Sequence, residues 1–177
     1  MTKTKHPKRL FITGGMGYIG SMLAKRALEA GHTVALYDSL IYEQDHEQIF
    51  DDIKGGVQDA PISLVIGDTR NKEALAKAMN DAKPDYVVHF GELVGPYACE
   101  HNPALTKDVN WNGSRNVVDA CVERGASLIY NSSSSVYGNQ QGVKFLKEDH
   151  PLPPVPADNY CTYKLLMEEY IQKQAAE

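Results

Sequence analysis

The 177-residue sequence has few cysteines and no long hydrophobic run, and both absences restrict what it can be. Its three cysteines, Cys99, Cys121 and Cys161, form no C-x-x-C pair, which favours a reducing, cytoplasmic setting over a disulfide framework. No apolar run approaches the roughly 20 residues that a membrane-spanning helix needs. Residues 10–12 are apolar but are followed at once by glycines, so we expect a strand there and not a signal-peptide core. We therefore expect no membrane partner.

Positive charge is also scarce. Lysine and arginine number 18 against 23 aspartates and glutamates, which gives a net charge of −5. This balance argues against nucleic acid as a partner, because phosphate binding needs a basic face. The one basic cluster, Lys3, Lys5, Lys8 and Arg9, is interpreted as a solvated tail. Histidine, cysteine and carboxylate residues nowhere have metal-site spacing, so we expect no metal. A hydrophobic content of 42% is typical of one globular domain over residues 1–177.

Short β-rich runs alternate with helical patterns along the chain. Strands are predicted over residues 9–13, 33–37, 62–66, 86–90 and 127–130, and helices over 18–30, 43–53, 72–79, 103–123 and 159–175. This alternation predicts βαβ units and a doubly wound parallel α/β sheet of Rossmann type, with helices on both faces. Four prolines in the connection 138–158 exclude a helix there.

The glycines that follow the first predicted strand form a G-x-x-G-x-x-G motif, made of Gly14, Gly17 and Gly20. The tight turn needs the conformational freedom of glycine, and the middle glycine allows a pyrophosphate to approach the backbone. The helix that begins near Tyr18 and Ile19 would present free N–H groups to the phosphates. Because a strand precedes the motif and a helix follows it, we predict a dinucleotide-binding site.

Two aspartates follow the next two predicted strands. Asp38 can accept hydrogen bonds from both ribose hydroxyls and would repel a 2′-phosphate, and no arginine stands beside it in the sequence. We therefore predict NAD and not NADP as the cofactor. Asp68, with Thr69 after it, lies where a side chain could reach the adenine amino group. The alternative for Asp68 is a turn or cap residue before Arg70.

The last predicted helix carries a tyrosine and a lysine four residues apart, Tyr160 and Lys164, which face the same way. A lysine ammonium near the phenol favours the phenolate and lowers the tyrosine pKa, so this pair could move a proton. A hydroxyl from the serine run 132–135 could bridge substrate and tyrosine. The alternative is an amphipathic helix with a snorkelling lysine. Tyr163 is adjacent to the lysine and is expected to point elsewhere.

Together these motifs resemble the N-terminal part of an extended short-chain dehydrogenase/reductase, specifically of the NAD-dependent sugar-nucleotide epimerase/dehydratase family. The matching segments, in chain order, are 12–21, 67–68, 84–89, 108–110 with Gly113 and Asn116, and 132–138. The resemblance covers about residues 8–175 and implies a Rossmann-type fold, a bound NAD and a nucleotide-sugar substrate, with a UDP-sugar favoured.

The resemblance also implies roles for individual residues. Tyr160 would be the catalytic base, Lys164 its pKa partner and a ribose ligand, and Ser133 the catalytic serine. Ser134 and Ser135 occupy the positions where dehydratases carry an Asp-Glu pair, which favours epimerisation over dehydration.

Further implications concern the cofactor wall and the assembly. Phe90 and Gly91 would lie against the cofactor. A homodimer would form through a four-helix bundle built from the helices around 112–123 and 159–175.

The sequence departs from the family pattern in two respects. Glu92 stands where the family usually carries a small residue, and we expect it to point to solvent or toward the nicotinamide ribose. The chain is also shorter than family members and lacks the C-terminal substrate domain, so it is either a fragment or a natural remnant. Two alternatives to an epimerase therefore stay open: an NAD-binding module without turnover, and a dehydrogenase or reductase acting on another nucleotide-sugar or a small ketone.

Overall fold

A computed structural model describes residues 6–138 and 145–176. Five strands form one sheet in the order β3-β2-β1-β4-β5, and every pairing is parallel. The strands are β1 (Arg9–Thr13), β2 (Thr33–Asp38), β3 (Ile62–Ile66), β4 (Tyr86–His89) and β5 (Ser127–Tyr130). This order is that of a Rossmann-type sheet, so the predicted fold is confirmed.

The helices differ from the predicted ones chiefly between β4 and β5. They are α1 (Tyr18–Glu29), α2 (His46–Lys54), α3 (Lys72–Ala82), α4 (Pro96–His101), α5 (Pro103–Lys107), α6 (Ser114–Arg124) and α7 (Asn159–Ala176). A π-helical turn, Asp108–Gly113, joins α5 to α6 inside the single helix that the sequence predicted over 103–123. Helix α4 and a 3₁₀ turn, Ser134–Tyr137, were not predicted.

The sheet is covered on both faces, as the sequence pattern predicted. Alternate residues of the central strand face opposite sides: Phe11 packs in one core cluster with residues of α3 and α6, and Ile12 packs in another with residues of α1 and α2. Val87 and Val88 of β4 divide between the same two clusters. Burial on both faces explains why these strands read as continuous apolar runs.

Local hydrogen bonds fix where α7 begins, and this placement matters for the tyrosine that it carries. Asp158 accepts hydrogen bonds from the backbone N–H of Cys161 (2.8 Å). Glu100 of α4 accepts from both the backbone N–H (2.8 Å) and the side-chain amide (3.0 Å) of Asn159. Both contacts satisfy N–H groups of the first helical turn, so Tyr160 sits at a well-defined position beside α4.

Two features of the predicted tail and loop lie outside the described residues. In the predicted basic tail these are Lys3 and Lys5, and in the proline-containing connection they are residues 139–144. Within the ranges that the structure does describe, no helix has the length and apolar character needed to cross a membrane.

Candidate functional site

A cleft of about 600 Å³ opens at the C-terminal edge of the sheet. Its volume falls in the usual range for small-molecule sites, and its position is where open α/β sheets bind ligands. All the residues that the sequence predicted for the site line this cleft: Gly14, Gly17, Tyr18, Ile19, Asp38, Asp68, Thr69, Phe90, Gly91, Ser133, Tyr160 and Lys164. The fold therefore brings together motifs that lie about 140 residues apart in the chain.

The glycine loop after β1 contains glycines of two kinds. Gly14 has φ +64°, and a Cβ there would lie 2.6 Å from the backbone carbon of Phe90. A Cβ at Gly20 would overlap the carbonyl oxygen of Gly14. Gly17 has an ordinary φ of −74°, and a Cβ there would meet one atom only, the same carbonyl oxygen at 3.3 Å. The protein's own packing thus requires glycine at positions 14 and 20, whereas the space at Gly17 opens to the cleft.

Helix α1 begins beside that open space. Its N-cap, Gly17, offers no side-chain acceptor, and no acidic residue lies in its first turn. Tyr18 and Ile19, the first helical residues, are exposed. The first N–H groups of α1 are therefore left without a side-chain cap among the described residues, in the arrangement that favours an anion.

Asp38 ends β2 and ties the glycine loop to that strand. Its Oδ2 accepts from the backbone N–H of Met16 (2.9 Å), and its Oδ1 accepts from the backbone N–H of Leu40 (2.9 Å). Each carboxylate oxygen can accept more than one hydrogen bond. Asp38 therefore holds the loop and still has acceptor capacity for a hydroxyl group in the cleft.

Asp68 is engaged with its neighbour and not free to face the cleft with both oxygens. Its carboxylate accepts from the backbone N–H of Arg70 (2.8 Å) and forms an ion pair with the guanidinium of Arg70 (2.6 Å). The hydrogen bond from that side chain lowers the pKa of Asp68. This geometry matches the turn-residue alternative, and it also pairs Arg70, which lines the cleft. Thr69 is held by Asn116, whose amide donates to its carbonyl oxygen (2.9 Å).

Tyr160 and Lys164 lie one turn apart on α7, and both are buried. The hydroxyl of Ser133, which hydrogen-bonds the hydroxyl of Ser135 (2.6 Å), also interacts with the phenol. The expected lowering of the tyrosine pKa is wrong for this structure: burial raises the pKa of Tyr160 above its ordinary value, the interaction with Ser133 opposes the rise, and the charge of Glu92 adds to it.

Glu92, whose charge adds to this rise, lies where the sequence did not predict it. We expected this side chain to point to solvent or toward the nicotinamide ribose. It is 2% exposed, so the solvent direction is wrong, and it lines the cleft. Its Oε2 forms an ion pair with the ammonium of Lys164, which is 3% exposed. The ammonium also donates to the carbonyl oxygen of Asn131 and lies 4.6 Å from the ring centre of Tyr130. The positive charge of Lys164 is thus balanced by the negative charge of the Glu92 carboxylate.

A chain of buried hydrogen bonds leads from the glycine loop to this ion pair. Thr13 Oγ1 lies 2.6 Å from His89 Nδ1, His89 Nε2 lies 2.8 Å from Ser114 Oγ, and Ser114 donates to Glu92 Oε1 (3.1 Å). An ionised carboxylate only accepts, so Ser114 must donate to it and must accept from His89. His89 therefore carries its proton on Nε2 and accepts from Thr13, which in turn accepts from the N–H of Gly91 (3.3 Å).

His89, the histidine of this hydrogen-bond chain, is neutral. Burial lowers the pKa of His89 to about 4, and the nearby charges of Glu92, which raises it, and Lys164, which lowers it, have smaller effects. Although His89 Nε2 lies 4.0 Å from Glu92 Oε1, the contact is not an ion pair at neutral pH. Tyr130 also donates to Glu92 (3.0 Å), and burial raises its pKa, so its phenol stays protonated.

Sequence reasoning missed His89, Ser114 and Tyr130, although part of the signal was present. Thr13, His89 and Tyr130 end β1, β4 and β5 and are in register with one another. Polar residues at the ends of adjacent parallel strands meet at one edge of the sheet. Ser114 had no such signal, because its position depends on the π-helical turn before α6.

Comparison with known proteins agrees with this geometry. The sequence model of the NAD dependent epimerase/dehydratase family matches residues 10–177. The chain is 28% identical over 173 residues to UDP-glucose 4-epimerase 3 of Oryza sativa subsp. japonica, covering 95% of this chain and 45% of the relative. It is also 28% identical over 165 residues to a decarboxylating sterol-4-alpha-carboxylate 3-dehydrogenase of Saccharomyces cerevisiae, covering 93% of this chain and 45% of the relative.

A solved structure gives the same picture. The UDP-glucose-4-epimerase of Stenotrophomonas maltophila, with bound NAD and formylated UDP-arabinopyranose, superimposes with a TM-score of 0.84 at 29% identity. The match covers 96% of this chain and 49% of that one. The chain thus spans about half the length of these relatives. The matches confirm the family resemblance that the sequence motifs indicated.

We predict that His89 makes the protein less stable as the pH falls from about 6.5 to about 4. The unfolded chain binds a proton near pH 6.5, whereas folded His89 binds one only near pH 4. Protons therefore favour the unfolded state in this window, and the loss should reach about 3 kcal/mol. The free energy of unfolding, measured with urea at several pH values in this range, should change less steeply with pH for His89→Gln than for wild type. The exposed-histidine variant His101→Gln should keep the wild-type slope; equal slopes for all three proteins would contradict the prediction.

Proposed function

Because the chain belongs to the NAD dependent epimerase/dehydratase family, we propose that it is the cofactor-binding part of an NAD-dependent nucleotide-sugar epimerase. One observation carries the proposal: a single cleft joins the glycine loop to Ser133, Tyr160 and Lys164. The loop suits a pyrophosphate, and the three side chains suit proton transfer to and from a substrate alcohol.

The residues of the cleft fit NAD. The space over Gly17 and the uncapped start of α1 suit a pyrophosphate. Asp38 retains acceptor capacity for ribose hydroxyls, and its negative charge disfavours a 2′-phosphate. Lys164 has three N–H donors, of which Glu92 and the Asn131 carbonyl take two, so one is left for a hydroxyl group in the cleft. When bound, NAD supplies the acceptor and later the donor of a hydride, together with a positively charged ring.

The chain's own side chains handle the proton. The phenolic oxygen of Tyr160 would take the proton of a sugar hydroxyl as that carbon loses its hydride and becomes a ketone. Ser133, which lines the cleft beside Tyr160, would hold the reacting oxygen. After the keto-sugar turns over, Tyr160 returns the proton to the same oxygen as the hydride comes back to the other face. The sequence is redox-neutral overall, and only the configuration of one carbon changes.

The serines after Ser133 support epimerisation over dehydration. Ser134 and Ser135 are exposed and begin a short 3₁₀ turn. Loss of water from a keto-sugar needs an acid and a base near the reacting carbons, and these two hydroxyl groups supply neither. A UDP-sugar is the favoured substrate because the rice and Stenotrophomonas relatives are UDP-glucose epimerases.

One other function has specific support. The yeast relative is a dehydrogenase, which favours net oxidation of a different alcohol as the second candidate. The third candidate is an NAD-binding module without turnover. Formation of NADH without an epimer would identify the second function, and tight NAD binding without any reaction would identify the third. We also propose a cytoplasmic location, since Cys99, Cys121 and Cys161 are all free thiols.

We predict that Asp38→Asn weakens NAD binding and reduces the discrimination against NADP. The change removes a charge-assisted hydrogen bond, and the expected loss for NAD is about 1.5–3 kcal/mol. Calorimetric titration of both cofactors measures it. Asp45→Asn is the matched control, because Asp45 caps α2 outside the cleft and asparagine caps equally well. Wild-type protein that binds NADP as tightly as NAD would contradict the assignment of Asp38.

We predict that the chain self-associates through α6 and α7. Val122 and Leu166 on these helices are exposed, and the family resemblance implies a four-helix bundle at this face. Sedimentation should show a dimer at micromolar concentration for wild type, and a monomer for Leu166→Glu. Ile41→Glu, which alters an exposed residue on the cleft side, should leave the dimer intact. A wild-type monomer would refute this proposal and leave the others standing.

We predict that the full gene product interconverts UDP-sugar epimers and that Tyr160→Phe abolishes this reaction. Loss of general acid–base catalysis typically costs about 10²–10⁴-fold in rate, whereas NAD affinity should hardly change. Tyr163→Phe is the control, because Tyr163 does not line the cleft. The assay follows UDP-glucose and UDP-galactose with NAD present. Undiminished activity of Tyr160→Phe would show that the proton is moved by another group.

A further inference from the structure

The buried ion pair between Glu92 and Lys164 has no place in the roles that the family resemblance implies. We propose that Glu92 is a positioning residue of the proton-transfer site: its carboxylate fixes the Lys164 ammonium and offsets the effect of that positive charge on the Tyr160 phenol. The proposal deepens the proposed function, since it matters for turnover only if Tyr160 moves the proton.

The first argument is that the pair is enclosed. The side chains of Glu92 and Lys164 are 2% and 3% exposed. A charge removed from water to this extent needs a compensating charge or strong hydrogen bonds. Each side chain provides that compensation for the other. If either side chain moved away, it would leave its partner as an unpaired buried charge. The ammonium is therefore kept beside Glu92 and not free to approach the phenol, whose ring centre lies 5.6 Å away.

The second argument is that Glu92 is itself held in place from three elements. Its Oε1 accepts hydrogen bonds from Ser114 of α6 and Tyr130 of β5. The next residue, Leu93, is clamped by Asn110, whose side-chain amide both accepts from its N–H (2.8 Å) and donates to its carbonyl oxygen (2.8 Å). Because these contacts fix the carboxylate, the position of Glu92 determines where the Lys164 ammonium lies.

Several groups of the described residues lie close to the phenol and affect its ionisation. These groups are Lys164 and Cys161 on α7, Cys99 on α4, Glu92 after β4, Tyr130 on β5 and Ser133 after β5. The thiols are neutral, because burial raises the pKa of both. Of these groups, Glu92 and Lys164 carry charge, and their charges oppose each other. A lysine alone would favour the phenolate. With its counter-ion attached, the lysine has less effect on the phenol, and burial keeps the phenol protonated in the chain without cofactor.

A purely structural ion pair would predict only a change in stability when it is altered. The proposal predicts a change in the ionisation of a third residue, and the two can be separated. Tyrosine labelled with ¹³C at Cζ reports its ionisation by NMR, and the Tyr160 resonance is identified as the one missing from Tyr160→Phe. The titration uses the chain without cofactor or sugar, so its outcome is independent of whether the proposed reaction occurs.

Glu92→Gln should lower the pKa of Tyr160 by about one unit or more, because it leaves the ammonium uncompensated. Lys164→Met should raise that pKa, and the double variant Glu92→Gln/Lys164→Met should return it close to wild type. Because the double variant restores a neutral pair, it tests the proposal even if Glu92→Gln alone unfolds. Glu92→Asp keeps the charge but draws it back by one methylene, and should give a smaller shift in the same direction as Glu92→Gln.

The control is Glu100→Gln, which changes an exposed carboxylate that also contacts the start of α7 but not Lys164. It should leave the Tyr160 titration unchanged. Coincident titrations for wild type and Glu92→Gln, or for Lys164→Met and the double variant, would overturn the proposal. Failure of the UDP-sugar assay with these shifts intact would refute the proposed function alone.

Discussion

A carboxylate buried behind the cleft organises much of the site. The charge of Glu92 cannot be left uncompensated in a dry environment, and its partners come from widely separated parts of the chain. Lys164 supplies the opposite charge, and Ser114 and Tyr130 supply hydroxyl donors. Because a carboxylate only accepts, it also sets the direction of the hydrogen bonds that run back to His89 and the glycine loop. Helices α6 and α7 and strands β4 and β5 are thus fastened around one group.

The two ends of the cleft differ in how they are built. The end near Gly17 presents backbone N–H groups of α1 and an aspartate, Asp38, whose oxygens already bind the loop. It is a fixed frame with open space. The end near Tyr160 is a cluster of side chains whose charges cancel. A ligand that spans the cleft would meet a preformed anion site at one end and the side chains of Ser133, Tyr160 and Lys164 at the other.

Much of the architecture could be predicted from the sequence because it depends on local patterns. Short apolar runs that alternate with helical patterns mark parallel strands, and β1, β3 and β5 have the predicted bounds. The region between β4 and β5 was harder. One continuous helical pattern is broken there by a π-helical turn, which lets Asn110 clamp Leu93 and turns Ser114 into the core. Such a turn is stabilised by tertiary contacts and leaves no mark in the periodicity.

The sequence by itself determined the sheet and the glycine loop, because glycine requirements and strand periodicity are properties of short segments. The direction of Glu92 was decided only by the tertiary structure. Viewed alone, an acidic residue after a strand is best placed in water. In the folded protein, Lys164 from 72 positions away enters the same space, and their mutual compensation favours burial of both. That partnership replaces the lysine-activated tyrosine of the sequence interpretation with a charge-balanced one.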